Sequence, residues 1–261
     1  MNPATSPSRI WYQSFVDPDE QRPYFERLRG YLASITDPDF TCEIYGISPP
    51  DRYLHPITEF RCAAHVIRNT IEAEKQGFAA FIIGHFQEPG LHESKATVGI
   101  PILGLGEATM LYACTLGRKI GLVTINPIFI PWHEDQVIRY GLKEQVIGVR
   151  AINTNVGDYM RAFEDPKVYE EIRDQFCRQI EPLLDMGVEV IIPAGGLPML
   201  LFSRERGFTI GGAIVLNGIT IVTKMAEMAV KLYRLDGTSV SRASWFSKAS
   251  PEAVQEFLQS P

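Results

Sequence analysis

The chain has 261 residues, of which 45% are hydrophobic and 21% charged, and a formal net charge of −6. An acidic chain without clustered Lys and Arg argues against a nucleic-acid-binding surface, and no apolar run approaches the ~18 residues of a membrane span. Residues 1–8 lack the pattern of a signal peptide, and the four cysteines are scattered. We therefore expect a cytoplasmic protein with a small-molecule substrate and with no nucleic-acid or membrane partner.

Short apolar runs alternate with helical patterns along the chain, which is typical of a mainly parallel sheet covered on both faces. In chain order, the predicted strands are Arg9–Val16, Cys42–Ile47, Ala79–Gly84, Pro101–Leu103, Lys119–Ile125, Val146–Ile152, Val188–Pro193 and Ala213–Leu216. The predicted helices are Gln21–Ser34, Glu59–Gln76, Glu107–Thr115, Pro131–Tyr140, Lys167–Met186, Gly218–Tyr233 and Pro251–Leu258. This alternation predicts an α/β fold with parallel sheets.

One pattern occurs twice, with a helix that ends at glycine, an apolar strand, and small or polar residues after the strand. The first copy covers residues 77–86 and the second covers residues 187–196, and His85 and Gly195 occupy matched positions. The duplication predicts two pseudo-symmetric α/β lobes that enclose a cleft. The predicted boundaries are residues 1–118 plus 214–240 for lobe one, 119–213 for lobe two and 241–261 for a C-terminal tail.

Ligands of parallel α/β sheets bind outside the carboxyl ends of the strands. The residues at these positions are polar or small, which suits a small substrate better than a nucleotide. The candidate substrate-binding residues are Gln13, Ser14, Phe86, Gln87, Thr124, Asn126, Gly195 and Gly196. Gly104-Leu105-Gly106 lacks the third glycine of a dinucleotide fingerprint. No nucleotide or other cofactor is therefore expected.

His85 and Glu88 are the candidate catalytic residues. His85 ends a strongly apolar strand, where burial of an imidazole without a partner costs free energy. Because imidazole titrates near neutrality, we predict that His85 is the catalytic acid or base. The alternative is a hydrogen-bond donor that only orients the substrate. Glu88 either orients the imidazole or is an exposed residue of a turn.

A metal site is the less favoured interpretation of the same segment. His85, Glu88 and His92 are metal-ligand types, but Pro89-Gly90 breaks the helix that would place them on one face. We therefore predict no metal. His133 is expected to be a surface or partly packed residue in a solvated first turn of its helix.

Several short segments carry a more specific signal. They are Arg9-Ile10-Trp11, residues 83–91, residues 102–108, Val123-Thr124, residues 139–142 and residues 187–192. Over nearly the whole chain, these segments resemble the aspartate/glutamate racemase superfamily, and most closely its hydantoin/allantoin racemase branch. The resemblance implies two pseudo-symmetric α/β lobes. Each lobe of the family supplies one cysteine, and the pair removes and returns a proton on a carbon beside a carbonyl.

This chain departs from the family pattern at both cysteine positions. His85 stands at the first, the second falls on or beside Gly195, and Gln13-Ser14 replaces the Asn-Pro-Asn pattern of the first strand. None of Cys42, Cys62, Cys114 and Cys177 follows a predicted strand end. Relatives that lack one cysteine decarboxylate or isomerise their substrates. The resemblance therefore implies the fold but not the two-cysteine mechanism.

One imidazole opposite glycine predicts proton transfer from one side only. Generating an enolate also requires donors for the developing oxyanion, which hydroxyl, amide and backbone groups at the strand ends could supply. We expect a cysteine-independent isomerase, lyase or decarboxylase that acts on a small carbonyl, carboxylate or cyclic amide compound, and a homo-oligomer. The alternatives are a hydrolase in which His85 activates water, and a non-catalytic binding protein. A cleft with only apolar residues and glycine opposite His85 would favour the binding protein.

Overall fold

Two sheets, each built around parallel strands, organise the protein, whose computed structural model describes residues 6–259. The strands of the first sheet are β1 (Ser8–Gln13), β2 (Phe40–Tyr45), β3 (Ala80–Ile83) and β4 (Ile102–Gly104). They are all parallel, in the order β2-β1-β3-β4. The strands of the second sheet are β5 (Ile120–Thr124), β6 (Val146–Ala151), β7 (Val190–Ala194), β8 (Thr209–Ile210) and β9 (Ala213–Val215). Their order is β6-β5-β7-β9-β8, with only the β8–β9 pair antiparallel.

Helices connect the strands. They are α1 (Arg22–Ile35), α2 (Pro56–Lys75), α3 (Leu91–Thr97), α4 (Leu105–Ala113), α5 (Ile130–Arg139), α6 (Val156–Glu164), α7 (Pro166–Asp185), α8 (Gly196–Phe202), α9 (Gly218–Asp236) and α10 (Pro251–Gln259). All predicted strands and helices are present, with shifted ends. Three helices and strand β8 were not predicted: α3 and α8 have only seven residues each, too few to show a helical repeat, and α6 begins at a capping box on Asn155. None of the described helices is long and apolar enough to cross a membrane.

The two sheets repeat one topology. Strand β3 lies between β1 and β4 in the first sheet, and β7 lies between β5 and β9 in the second. The predicted equivalence of these two strands is therefore confirmed. Strand β9 pairs with β7, whereas α9 packs on α4 and β3 of the first sheet. Where one lobe ends and the other begins stays a prediction.

Burial on both faces explains the apolar strand sequences. Every residue of β3, β5 and β7 is buried, as expected for parallel strands covered by helices on both sides. The register pairs Gln13 with Ile83 and Thr124 with Ala194. The carboxyl ends of neighbouring strands are thus level, which brings the residues after β1 and β3, and those after β5 and β7, to common edges.

A cleft between the two sheets

The carboxyl ends of the strands open onto a cleft of about 630 Å³, measured with its open mouth. From the first sheet and its loops, the cleft is lined by Ser14, Phe15, Val16, Tyr24, Asp51, Leu54, Gly84, His85 and Gln87. From the second, it is lined by Ile125, Phe129, Val156, Ala194, Gly195, Gly196, Leu197 and Pro198. All the polar side chains of the cleft therefore come from the first half of the molecule.

His85 is fixed in this cleft by a carboxylate and an aromatic ring. Its Nε2 lies 2.8 Å from Oε1 of Glu59, in the first turn of α2, and the Phe15 ring stacks on the imidazole with centroids 4.4 Å apart. Because an ionised carboxylate only accepts hydrogen bonds, Nε2 carries the proton of the neutral ring. This tautomer leaves Nδ1 as the basic atom.

The surroundings of His85 favour its protonated form. Burial lowers the pKa of the imidazole, but the charge and hydrogen bond of Glu59, with smaller contributions from Asp51 and Glu88, raise it above its ordinary value. An opposite charge within hydrogen-bond distance stabilises the imidazolium more than burial penalises it. The sequence did not indicate Glu59, because only the packing of α2 beside the end of β3 brings the two side chains together.

Asp51 completes an acidic group around the imidazole. Its Oδ1 accepts hydrogen bonds from the backbone N–H groups of Tyr53 and Leu54 at 3.3 and 3.2 Å. The ligand-type atoms of Asp51, Glu59 and His85 lie within 4.8 Å of one another, a spacing at which they could hold a divalent cation. The three metal-ligand residues considered from the sequence, His85, Glu88 and His92, are not brought together. The ring of His92 packs against Phe246 instead.

The wall opposite His85 is apolar and contains no acid or base among the described lining residues. Gly195 has a φ of +159°, and a Cβ there would lie 3.1 Å from Cδ of Pro198. A Cβ on Gly196 would lie 3.1 Å from the carbonyl oxygen of Gly84. A side chain at either position is therefore crowded, and the cleft is one-sided in its chemistry.

Glu88 does not orient the imidazole and is not an exposed turn residue, so both interpretations from the sequence are wrong. It is 2% exposed. Its Oε1 accepts from the backbone N–H of Glu107 at 2.7 Å, and its Oε2 accepts from Nε2 of Gln136 at 3.1 Å and from the Tyr140 hydroxyl. The left-handed backbone at Glu88, with φ of +57°, was not visible in the sequence. Burial raises the pKa of this carboxyl to about 7.

The predicted substrate-binding residues divide into two groups. Ser14, Gln87, Gly195 and Gly196 line the cleft. Tyr24 lines the cleft beside them, and burial raises its pKa to about 12.

The other four predicted residues are not among the residues that line the cleft. Gln13 donates to the carbonyls of Ser14, Tyr45 and Gly46, and Phe86 is fully buried. Thr124 lies 3.1 Å from the Ala194 carbonyl oxygen, and Asn126 caps the short 3-10 helix that follows it. The polar side chains of Gln13, Thr124 and Asn126 therefore form hydrogen bonds within the protein and hold the strand ends together.

His133 is fully buried, so the prediction of a solvated position is wrong. Its Nδ1 lies 2.9 Å from Oε1 of Gln136, whose Nε2 donates to the Phe86 carbonyl at 2.6 Å. Its Nε2 lies 3.1 Å from the Thr124 hydroxyl. Burial lowers the pKa of His133 to about 4, so the ring is neutral. The sequence pattern placed it on a helix but did not show which helical face was covered.

None of the four cysteines is among the described residues that line the cleft, as their positions in the sequence had indicated. Burial raises the pKa of each thiol, and that of Cys42 and of Cys62 reaches about 12. A thiol with a raised pKa is a poor nucleophile and a poor base at neutral pH.

The class of fold is defined by two α/β halves whose sheets have the same strand order and by the cleft between them. The profile of the Asp/Glu/Hydantoin racemase family matches residues 24–226, and the chain belongs to this family. A hydantoin racemase from Pseudomonas sp. (strain NS671) is 27% identical over 175 residues, which are 67% of each chain. A hydantoin racemase from Rhizobium meliloti is 31% identical over 157 residues, which are 60% of this chain and 62% of that protein.

The solved structures confirm the predicted fold. The allantoin racemase from Klebsiella pneumoniae superimposes with a TM-score of 0.73 over 93% of this chain and 94% of that one, at 20% sequence identity. The resemblance inferred from short segments of the sequence is thus confirmed at the level of family and fold.

Proposed function

We propose that this protein is a hydantoin racemase-like enzyme that works without a catalytic thiol, with His85 as its single acid/base group. The observation that carries the proposal is the 2.8 Å hydrogen bond between His85 and Glu59 inside the cleft. A carboxylate fixes the tautomer and orientation of an imidazole and stabilises the imidazolium that forms on proton transfer. Glu59 takes the supporting role that the sequence analysis considered for Glu88.

The proposed reaction starts with Nδ1 of His85 removing a proton from a substrate carbon beside a carbonyl. The electron pair of the broken C–H bond moves to the carbonyl oxygen and gives an enolate. Ser14 and Gln87 line the cleft and are the side-chain donors that we assign to the oxyanion. The imidazolium then returns its proton to the same face of the enolate, or to another carbon.

The wall formed by Gly195, Gly196 and their neighbours supports a one-sided reaction. Racemisation through two bases needs an acid on the face opposite the first base, and the lining residues there are apolar or glycine. We therefore propose an isomerase or a lyase such as a decarboxylase. In such a reaction, neither the departure of the leaving group nor reprotonation needs a second acid or base from the protein.

A non-catalytic binding protein is the second candidate, and the apolar wall opposite His85 favours it. A hydrolase in which His85 activates water also requires a carboxylate that orients the imidazole. Glu59 would take that role in a hydrolase too, because it contacts Nε2 of His85. Cytoplasmic location, independence from cofactors and metals, and a homo-oligomeric state stay proposals. The last is supported by apolar side chains that α9 exposes, among them Met228, Tyr233 and Leu235.

Activity is expected to survive thiol alkylation. Cys62 is buried, Cys42 and Cys177 are half-buried, and Cys114 is exposed but outside the cleft. Treating the native protein with iodoacetamide, confirming modification of Cys114 by mass spectrometry and assaying turnover should give at least about half of the untreated rate. Complete inactivation that a substrate prevents would show that a thiol takes part, and would contradict the proposed function.

A further inference from the structure

The acidic side of the cleft contains two carboxylate oxygens without a partner. Oδ2 of Asp51 and Oε2 of Glu59 are buried and have no hydrogen-bond partner among the described residues. Glu59 as a whole is 8% exposed. Buried charges in proteins are paired, hydrogen-bonded or bound to a metal, because an uncompensated charge is costly to bury. The two oxygens therefore indicate that a positive group belongs between them.

Two other buried carboxylates of this chain have partners on both oxygens. Glu227 is 2% exposed, and it accepts from the backbone N–H of Asp37 at 2.8 Å and from Nζ of Lys224 at 2.9 Å. Glu88 accepts from three donors. Unpaired carboxylate oxygens are thus a feature of the cleft and not of how this chain buries its acids in general.

The arginines that are close in sequence to Asp51 and Glu59 are engaged elsewhere. Arg52 forms an ion pair with Glu20. Arg61 donates to the carbonyl oxygens of Pro49 and Pro50 at 2.8 and 3.2 Å. The two carboxylates therefore share a single imidazole, and a negative charge remains even when that imidazole is protonated.

We propose that Asp51, Glu59 and His85 form a binding site for a divalent transition-metal cation. Their ligand-type atoms lie within 4.8 Å of one another, and a cation with ligand bonds of about 2.1 Å holds such atoms roughly 3–4 Å apart. Small side-chain movements therefore complete the site. One imidazole beside two carboxylates favours a first-row transition metal over Mg²⁺, which prefers oxygen ligands.

The cation would inhibit acid/base chemistry at His85. Nε2 lies 2.8 Å from Oε1 of Glu59, so a cation bound between these residues displaces the Nε2 proton. The neutral ring has only one proton, which then resides on Nδ1, and the basic atom of the proposed reaction is lost. This consequence rests on the proposed function, whereas binding of the cation does not. Catalysis itself stays independent of metal.

Titration of the EDTA-treated full chain with Mn²⁺, with the free ion measured by electron paramagnetic resonance, tests the site. Mn²⁺ is a suitable probe because thiolates select softer metals. The wild type should bind one Mn²⁺ per chain, and an equal concentration of Mg²⁺ should not displace it. Asp51→Asn and Glu59→Gln each remove a charged ligand and should weaken binding by ~10-fold or more.

Thermal unfolding supplies a second measurement and shows that the variants fold. Mn²⁺ should raise the unfolding temperature of the wild type but not that of either variant, because a ligand that binds only the folded chain stabilises it. Without Mn²⁺, both variants should unfold cooperatively near the wild-type temperature. Asp51→Asn retains an oxygen for the turn in which Oδ1 accepts from Tyr53 and Leu54.

Asp17→Asn is the matched control. Asp17 also closes a turn, by accepting from the backbone N–H groups of Asp19 and Glu20, and it does not line the cleft. This variant should keep the wild-type affinity for Mn²⁺ and the wild-type rise in unfolding temperature.

Two results would overturn the site. One is a wild type that binds Mn²⁺ no more tightly than both cleft variants do, which would show an adventitious ion only. The other is undiminished binding in either Asp51→Asn or Glu59→Gln. Turnover measured in the same titration separates this inference from the proposed function. Turnover that falls in step with bound Mn²⁺ supports both, whereas Mn²⁺ bound through these residues at unchanged turnover supports the site and contradicts His85 as the base.

Discussion

Replacing His85 with Gln is expected to lower turnover by ~10²–10⁴-fold, the usual contribution of a general acid or base, and to change substrate affinity by only a few-fold. Glutamine still donates a hydrogen bond to Glu59 but cannot take up a proton. Steady-state kinetics of His85→Gln measure both quantities. His65→Gln is the control, because His65 lies on α2, the helix that carries Glu59, and does not line the cleft.

The pH dependence of turnover provides an independent check on the role of His85. The base must be neutral, so the rate should rise with pH through an inflection above ~6.5, the ordinary imidazole value, because the pKa of His85 is raised. Glu59→Gln removes the largest cause of that rise and leaves the burial that lowers the pKa. Its inflection should therefore move to lower pH. Turnover of His85→Gln near that of the wild type, with an unchanged pH profile, would reduce His85 to a positioning residue.

Replacing Glu88 with Ala is expected to lower the free energy of unfolding by about 3 kcal/mol, since each buried donor left without an acceptor costs about 1–3 kcal/mol. The variant removes the acceptor of the Glu107 N–H and of the Tyr140 hydroxyl, and one of the two acceptors of the Gln136 amide. Urea denaturation measures the change. Glu93→Ala is the matched control, because Glu93 is exposed five residues further along the chain and should change stability by less than about 0.5 kcal/mol.

The same carboxyl should make stability depend on pH. The pKa of Glu88 rises from 4.5 to about 7 on folding, so the folded state binds this proton more tightly than the unfolded state. The resulting stabilisation is present below pH 4.5 and is lost as the pH rises through 7. Between pH 5 and pH 8, the unfolding free energy of the wild type should therefore fall relative to that of Glu88→Gln. A constant difference would show that Glu88 is ionised throughout this range.

The sequence predicted the fold well because the information is local. The apolar strands, their glycine boundaries and the duplication are all visible within short segments, and His85 stands out because it ends such a strand. The partner of His85 is 26 positions away in sequence, and the donors to Glu88 are 19, 48 and 52 positions away. Such pairs are created by packing between elements.

Local patterns also mislead about which polar residues face a ligand. Gln13 and Thr124 follow or end strands at the correct edge, yet their side chains bond to neighbouring backbone carbonyls. Buried polar groups require hydrogen-bond partners, and a strand end supplies several. The positions next to them, Ser14 and Gly195, line the cleft instead, and sequence alone does not distinguish between such neighbours.

Hydrogen–deuterium exchange at the substrate carbon shows whether a single imidazole transfers the proton. One enantiomer of a 5-substituted hydantoin is incubated with the protein in D₂O, and NMR and chiral chromatography follow deuterium uptake and inversion together. If His85 alone transfers the proton, deuterium uptake is faster than inversion in the wild type and is lost in His85→Gln. Deuterium found only in the inverted enantiomer would indicate two opposed bases, and no uptake beyond that of the variant would indicate a binding protein; either result would rule out one-sided proton transfer by His85.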